Sequence, residues 1–217
     1  MAENPKVVEE FLTAGFELKY LFTTDVSLFS DHDSICISEK ELQTISYQTT
    51  PNTCLAVFSI PKEKKLPESG LQVALDAVRD PGNLGTIIRL CDWFGVTQLL
   101  CSTDTVDCYN PKVVQASMGS LARVKVKYVE LNIHLQQAKV PIYGAFMDGE
   151  SVYHQSLPTD AILVMGNEAN GVRAETEKLI SKRISIPRFG ALQKTESLNV
   201  ATATAILLSE FKRTTGM

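Results

Sequence analysis

The chain has 217 residues, of which 44% are hydrophobic and 21% charged; this balance supports a packed core and excludes disorder as the main state. No apolar run reaches the ~18 residues of a membrane span, and Met1-Ala2-Glu3-Asn4-Pro5-Lys6 has neither the basic start nor the apolar core of a signal peptide, so a cytosolic protein is expected. The formal charge of −4 excludes a generally basic surface, and any nucleic acid must be held by local cations.

Residues 1–66 carry six Lys/Arg against ten Asp/Glu, while residues 67–217 carry fifteen of each. That shift coincides with the stretch 61–70, Pro-Lys-Glu-Lys-Lys-Leu-Pro-Glu-Ser-Gly, which has dense charge, two prolines and no face to bury. We therefore read residues 1–60 as a small α/β domain, 61–70 as a linker and 71–217 as the main domain. The first domain starts directly at a helix, which leaves open that further sequence precedes it.

In the small domain Asn4 caps a helix with Pro5 at its first position, and Val7, Val8, Phe11 and Leu12 share one face before Gly15. Leu18–Phe22 and Ser34–Ile37 read as short strands, Ser38-Glu39-Lys40-Glu41 as a capping box opening a helix, and Cys54–Phe58 as a buried strand. Beyond the linker, strand-like runs (Leu71–Ala77, Gln98–Cys101, Val124–Val129, Ile142–Phe146, Ala161–Met165, Ile184–Ile186) alternate with helical patterns at Leu84–Phe94, Pro111–Ala116, Ala174–Ile180 and Leu198–Lys212. Continuous apolar strands joined by helices predict a mostly parallel sheet covered on both faces. Ligands of such sheets sit at the carboxyl ends of the strands, which directs attention to the loops after Ala77, Phe146, Met165 and Ile186. The five cysteines form no C-x-x-C pair and are expected to be reduced and mostly buried.

Three of these loops stand out. Asp80-Pro81-Gly82-Asn83-Leu84-Gly85-Thr86-Ile87-Ile88-Arg89 leads a Pro-Gly turn into a helix that carries Arg89 about one and a half turns in. It fits either a plain turn with a solvated arginine or an anion site beside a guanidinium, and it is neither a Walker loop nor a G-x-G-x-x-G fingerprint. Gly166-Asn167-Glu168-Ala169-Asn170-Gly171 places one acid between two glycines at a strand's end, as an ordinary turn or as a loop brought close to a ligand. In Ile186-Pro187 through Ser197-Leu198-Asn199-Val200, Ser197 reads as a helix cap, and Asn199 lies just inside the helix, where Asn is a poor former unless its amide has a partner.

In order and wording the three segments resemble the signature motifs of SpoU-type RNA methyltransferases of the SPOUT superfamily, over residues 71–217. Asn110–Ser120 is also similar to a family segment, with Gln115 where many members carry arginine, and residues 1–60 resemble more loosely the family's small substrate-binding domain. The resemblance implies a carboxyl-terminal trefoil knot, a homodimer, and S-adenosylmethionine-dependent methylation of a ribose 2′-hydroxyl in rRNA or tRNA without a metal. It assigns the chemistry to Arg89, Asn83, Glu168, Ser197 and Asn199, and the cofactor to main-chain groups around Ala145, Phe146, Gly166, Ile186 and Leu198. Arg89 is either a general base or a cation that orients phosphate and stabilises the developing alkoxide; a guanidinium is normally protonated. The last helix carries an apolar face of Ala201, Ala205 and Leu208, the surface from which a homodimer is expected. Local RNA contacts are assigned to Arg79, Arg89, Arg123, Lys125 and Lys127. The alternative is a non-catalytic RNA-binding or ribosome-assembly factor with the same fold. A serine hydrolase built on Ser197 is disfavoured, because G-x-S-x-G is absent and His32, His134 and His154 have no triad-like setting.

Overall fold

The computed structural model describes residues 1–62, 69–190, 192, 194 and 197–214. Most of the expected linker, and parts of the segment between Ile186 and Val200, lie outside the described residues.

The first helix, α1 (Pro5–Thr13), is capped by the Asn4 side chain, which accepts from the Lys6 N–H at 3.0 Å, and it buries Val7, Val8 and Phe11. Its buried stripe covers a three-stranded sheet ordered β2-β1-β3, built from β1 (Leu18–Thr23), β2 (Ile35–Cys36) and β3 (Cys54–Phe58). The expected second strand shrinks to two residues. Helix α2 (Glu39–Ile45) opens with both arms of the Ser38/Glu41 capping box in place.

The second sheet has six strands, all parallel, in the order β6-β5-β4-β8-β7-β9. They are β4 (Leu71–Leu75), β5 (Gln98–Ser102), β6 (Lys125–Val129), β7 (Ile142–Ser151), β8 (Ala161–Met165) and β9 (Lys182–Ser185). Side chains alternate across a strand, so each apolar run supplies two cores. Val73, Leu75, Leu99, Cys101, Leu163 and Met165 join one cluster with Ile87, Val113 and Leu207, from α3 (Pro81–Trp93), α4 (Pro111–Ser117) and α7 (Val200–Thr214). Ala74, Leu100, Ile162 and Val164 join the other, with Leu131 and Leu135 of α5 (Leu131–Gln136) and Ile180 beyond α6 (Ala174–Glu177). Helices therefore cover both faces, as the unbroken apolar strands required.

Around this sheet several details differ from expectation, among them that β4 ends at Leu75 and β9 spans Lys182–Ser185. Helix α5 was not anticipated, α6 is a single turn, and α7 begins at Val200 rather than Leu198. Strand β7 does not stop at Phe146: Ala145 and Glu150 are both paired with Ile184, so residues 146–149 are looped out and the strand resumes beside β9.

The larger core cluster is continuous with the small sheet, taking in Val8, Phe11, Leu21 and Ala56. At that junction Arg123 is bonded to Glu10 of α1 and pairs with Asp92 at 2.8 Å. Arg123 was expected to meet RNA; it is committed to two carboxylates instead. Of the apolar face of α7, Ala201 and Leu208 are covered within the monomer, at 5% and 0% exposure, while Ala205 stays partly exposed.

Candidate active site

The chain leaves the sheet centre in both directions, since β4 lies between β5 and β8, and this reversal of strand order opens a crevice at the carboxyl ends of β4 and β8. Two of the three marked loops emerge there. The third, after β9, closes a cavity of about 1070 Å³ over β7, β8 and β9.

Glu168 reaches from the β8 loop to the β4 loop. Its carboxylate accepts from the Asn83 side-chain amide at 3.0 Å and from the main-chain N–H groups of Asp80 at 3.2 Å and Arg79 at 3.3 Å. Asn83 in turn accepts at its Oδ1 from the Asn199 side-chain amide at 2.8 Å. One chain of hydrogen bonds thus joins Glu168, Asn83 and Asn199, residues of three loops. Burial works to raise the Glu168 carboxyl, but the donors of Asn83, its own backbone, Arg79 and Asp80 outweigh burial and hold it below the ordinary glutamate value.

Asn199 is the N-cap of α7 rather than a residue inside it. Its Oδ1 accepts from Ala201 and Thr202 at 3.0 and 3.2 Å, which leaves the amide NH₂ free to donate to Asn83. This is the partner its position called for. Ser197, the expected cap, is exposed on the cavity wall and makes no hydrogen bond among the described residues.

Ala145, Phe146, Gly166, Ile186 and Leu198, the residues assigned to the cofactor, all line the cavity, as do Glu168, Ser197 and Asn199. The volume suits a drug-sized or nucleoside-bearing ligand. The turn itself also requires Gly166: a Cβ there would lie 2.3 Å from the carbonyl carbon of Gly171. Asn167 ties the same turn to the loop after β4, its side-chain amide donating to the Ala77 carbonyl at 2.6 Å.

Arg89 stands apart from this network. Helix α3 begins at Pro81, capped by Asp80 through a 2.7 Å bond from the Asn83 N–H, which puts Arg89 more than two turns in. Six residues beyond Asn83 on a helix is about 120° round the axis. Arg89 accordingly lies on the exposed face with Thr86 and Trp93, does not line the cavity, and has no hydrogen bond or ion pair among the described residues. Arg79, Lys125 and Lys127 also keep some exposure. His154 sits exposed in a short turn and does not line the cavity.

The sequence reading missed Asp76 and Arg173. Asp76 is fully buried at the end of β4 and bonds the Arg173 guanidinium through Oδ1 at 2.6 Å. An acid ending an otherwise apolar run, Leu71–Ala77, was the available signal. The cysteines have no part in the site: all five are free, only Cys36 is exposed, and burial pushes the Cys54 and Cys91 thiols up to about 12.

Comparison with known proteins places the chain in a family. RlmP of Bacillus subtilis, a 23S rRNA guanosine 2′-O-methyltransferase, is 30% identical over 96% of this chain and 86% of its own. A TrmH-family protein from Porphyromonas gingivalis superposes with a TM-score of 0.87 at 40% identity, over 98% of this chain and 88% of that one. An rRNA methyltransferase from Sinorhizobium meliloti, solved with AdoMet bound, gives 0.82 at 29% over 98% and 86%. The SpoU rRNA Methylase family profile matches residues 70–209, the whole six-stranded sheet with its loops and most of α7, and the chain belongs to that family.

Proposed function

We propose that the protein methylates a ribose 2′-hydroxyl of ribosomal RNA using S-adenosylmethionine. The observation that carries this reading is the Glu168–Asn83–Asn199 chain at the mouth of a cavity lined by all five residues assigned to the cofactor. The names of its relatives, rRNA 2′-O-methyltransferases, supply the substrate class.

When bound, S-adenosylmethionine supplies a methyl group on a positive sulfonium. Placement, exclusion of water and stabilisation of developing charge fall to this chain. Ala145, Phe146, Gly166, Ile186 and Leu198 form the wall that holds the cofactor. Asn83 and Asn199 fix the rim through amide bonds whose partners are already made. Arg89 acts as a cation: its guanidinium, outside the cavity and with no protein partner among the described residues, has its donors available to an RNA phosphate. Ser197, exposed on the wall, contacts the substrate.

The division at 61–70 into a substrate-binding domain and a methyltransferase domain belongs to the same reading. Tyr20 and Phe22 stack with centroids 6.2 Å apart on the small sheet, Tyr20 is 58% exposed, and such rings accept RNA bases. A trefoil knot in the carboxyl-terminal third belongs to the same reading and rests on membership of the SpoU family. A homodimer is supported by uncovered apolar side chains on α3 and the β9 loop, Trp93 and Phe189, each 83% exposed. A cytoplasmic location fits these assignments; among the described residues no helix is long and apolar enough to cross a membrane.

Mass spectrometry of rRNA from a deletion strain tests the function: one 2′-O-methyl should be missing, and an unchanged modification profile would overturn the reading.

A further inference from the structure

The two loops at the reversal of strand order exchange carboxylates. Glu168 of the β8 loop grips two main-chain N–H groups and Asn83 of the β4 loop. In the opposite direction Asp76, at the start of the β4 loop, accepts from the Arg173 main-chain N–H at 2.9 Å and from its guanidinium at 2.6 and 2.5 Å. The Asp76 N–H meanwhile donates to the Met165 carbonyl at 2.9 Å. Met165 and Arg173 bracket the Glu168 loop, so the one residue that follows β4 holds both of its ends.

A carboxylate with no exposed surface is costly to bury, and an apolar side chain would close the end of this strand with less penalty. What the carboxylate adds is direction. Its partner Arg173 continues to Asp104 at 3.4 Å, Asp104 accepts from the Ser102 hydroxyl at 2.7 Å, and Ser102 accepts from the Ala77 N–H at 2.8 Å. Ala77 needs such support, because at φ 61° it occupies the left-handed region that non-glycine residues avoid. The circuit returns to the residue beside Asp76 and fixes the turn from which Arg79, Asp80 and Asn83 present their donors to Glu168.

We infer that Asp76 and Arg173 are positioning residues for methyl transfer: they touch neither ligand nor reacting atoms, and they act by setting where Glu168, and through it Asn83 and Asn199, stand at the cavity mouth. This rests on the methyltransferase reading. If the loop drifts, Glu168 loses its N–H donors and its carboxyl rises toward the ordinary glutamate value, which gives the inference a signature beyond activity.

The test uses the full chain, the rRNA fragment that the parent methylates, and two substitutions. Asp76→Asn keeps the shape and removes the charge; Arg173→Lys keeps the charge and the main-chain N–H but loses the fork. A parent that transfers no methyl overturns the function, not this inference. With an active parent, both variants should bind S-adenosylmethionine within about threefold of the parent while kcat falls about 10- to 100-fold, the scale of a misplaced reacting geometry. NMR titration of the Glu168 carboxyl should move upward in both. A folded Asp76→Asn with the parent's kcat overturns the inference, and so does a lower kcat with the Glu168 titration unmoved, which would reduce the pair to a structural staple. Should Asp76→Asn fail to fold, Arg173→Lys decides by the same two readings.

Discussion

The first turn of α3 and its outward face belong to one helix and have opposite chemistry. In the first turn every polar group named above is committed: Asp80 caps the helix, Asn83 bonds Glu168 and Asn199, and the Arg79 and Asp80 N–H groups point at a carboxylate. Two turns later Arg89 has no partner among the described residues, beside an indole that is 83% exposed. Committed groups build a rigid rim at no cost to the reaction, because their partners do not change as it proceeds. Open groups are the ones a substrate can still engage. The difference separates residues that position from residues that bind, and it can be broken from either side.

The largest effect is expected at the open side. Arg89→Ala removes no internal bond, so a thermal melt should place its stability within about 0.5 kcal/mol of the parent. S-adenosylmethionine binding, read by calorimetry, should also be kept, since a positive sulfonium gains nothing from a guanidinium. Methyl transfer should fall at least ~100-fold, the scale of a substrate held out of its reacting geometry. Transfer near the parent's rate would remove Arg89 from the site.

On the committed side, Asn199 does two jobs that substitution can separate. Asn199→Ala loses the cap of α7, worth about 1 kcal/mol, together with the bond to Asn83. Asn199→Asp keeps an oxygen for the Ala201 and Thr202 N–H groups but cannot donate to Asn83. Its melt should match the parent's, while its methyl transfer drops about tenfold through the disturbed rim. Equal rates in parent and Asp variant would make the Asn83 contact a by-product of capping.

A smaller effect, on stability alone, sharpens the account of what holds α3. At Gly85 an added Cβ would lie 2.4 Å from the Ala116 Cβ and 2.8 Å from the Val113 carbonyl oxygen, both of them backbone or short side chain of α4. Neither can swing aside, so Gly85→Ala should cost about 1–3 kcal/mol in denaturant unfolding.

How much of this was legible in the sequence follows from the range of each interaction. The Asn4 cap, the Ser38/Glu41 box and strands β3 and β8 were read at their true bounds because each is decided within a few residues. Strand β2 and the end of β7 were misjudged because pairing with distant strands, not local pattern, sets their length. Of the site, the wording of the motifs named Asn83, Glu168 and Asn199, yet their bonds span 85 and 116 residues of chain and left no periodicity to read. Asp76 was marked only as an acid ending an apolar run, and its pairing with Arg173, 97 residues away, was hidden for the same reason.

The smallest predicted effect concerns pH and the same committed groups. Glu168 has a lowered carboxyl in the folded protein against an ordinary value of 4.5, so the folded state binds its proton less readily than the unfolded chain does. Its contribution to stability is therefore present above that ordinary value and is lost as pH falls through the folded one. Glu168→Gln should destabilise the protein at neutral pH, because an amide offers one acceptor and brings two hydrogens toward the N–H groups of Arg79 and Asp80 and the amide of Asn83. On acidification below its lowered folded value the parent's carboxyl becomes neutral too, and the gap between the two melting curves should close. Other carboxylates titrate in the same range, but they do so in both proteins and cancel from the difference. A gap that stays constant from neutral to acid pH would mean that the Glu168 charge contributes nothing to the rim and that its shape alone is required.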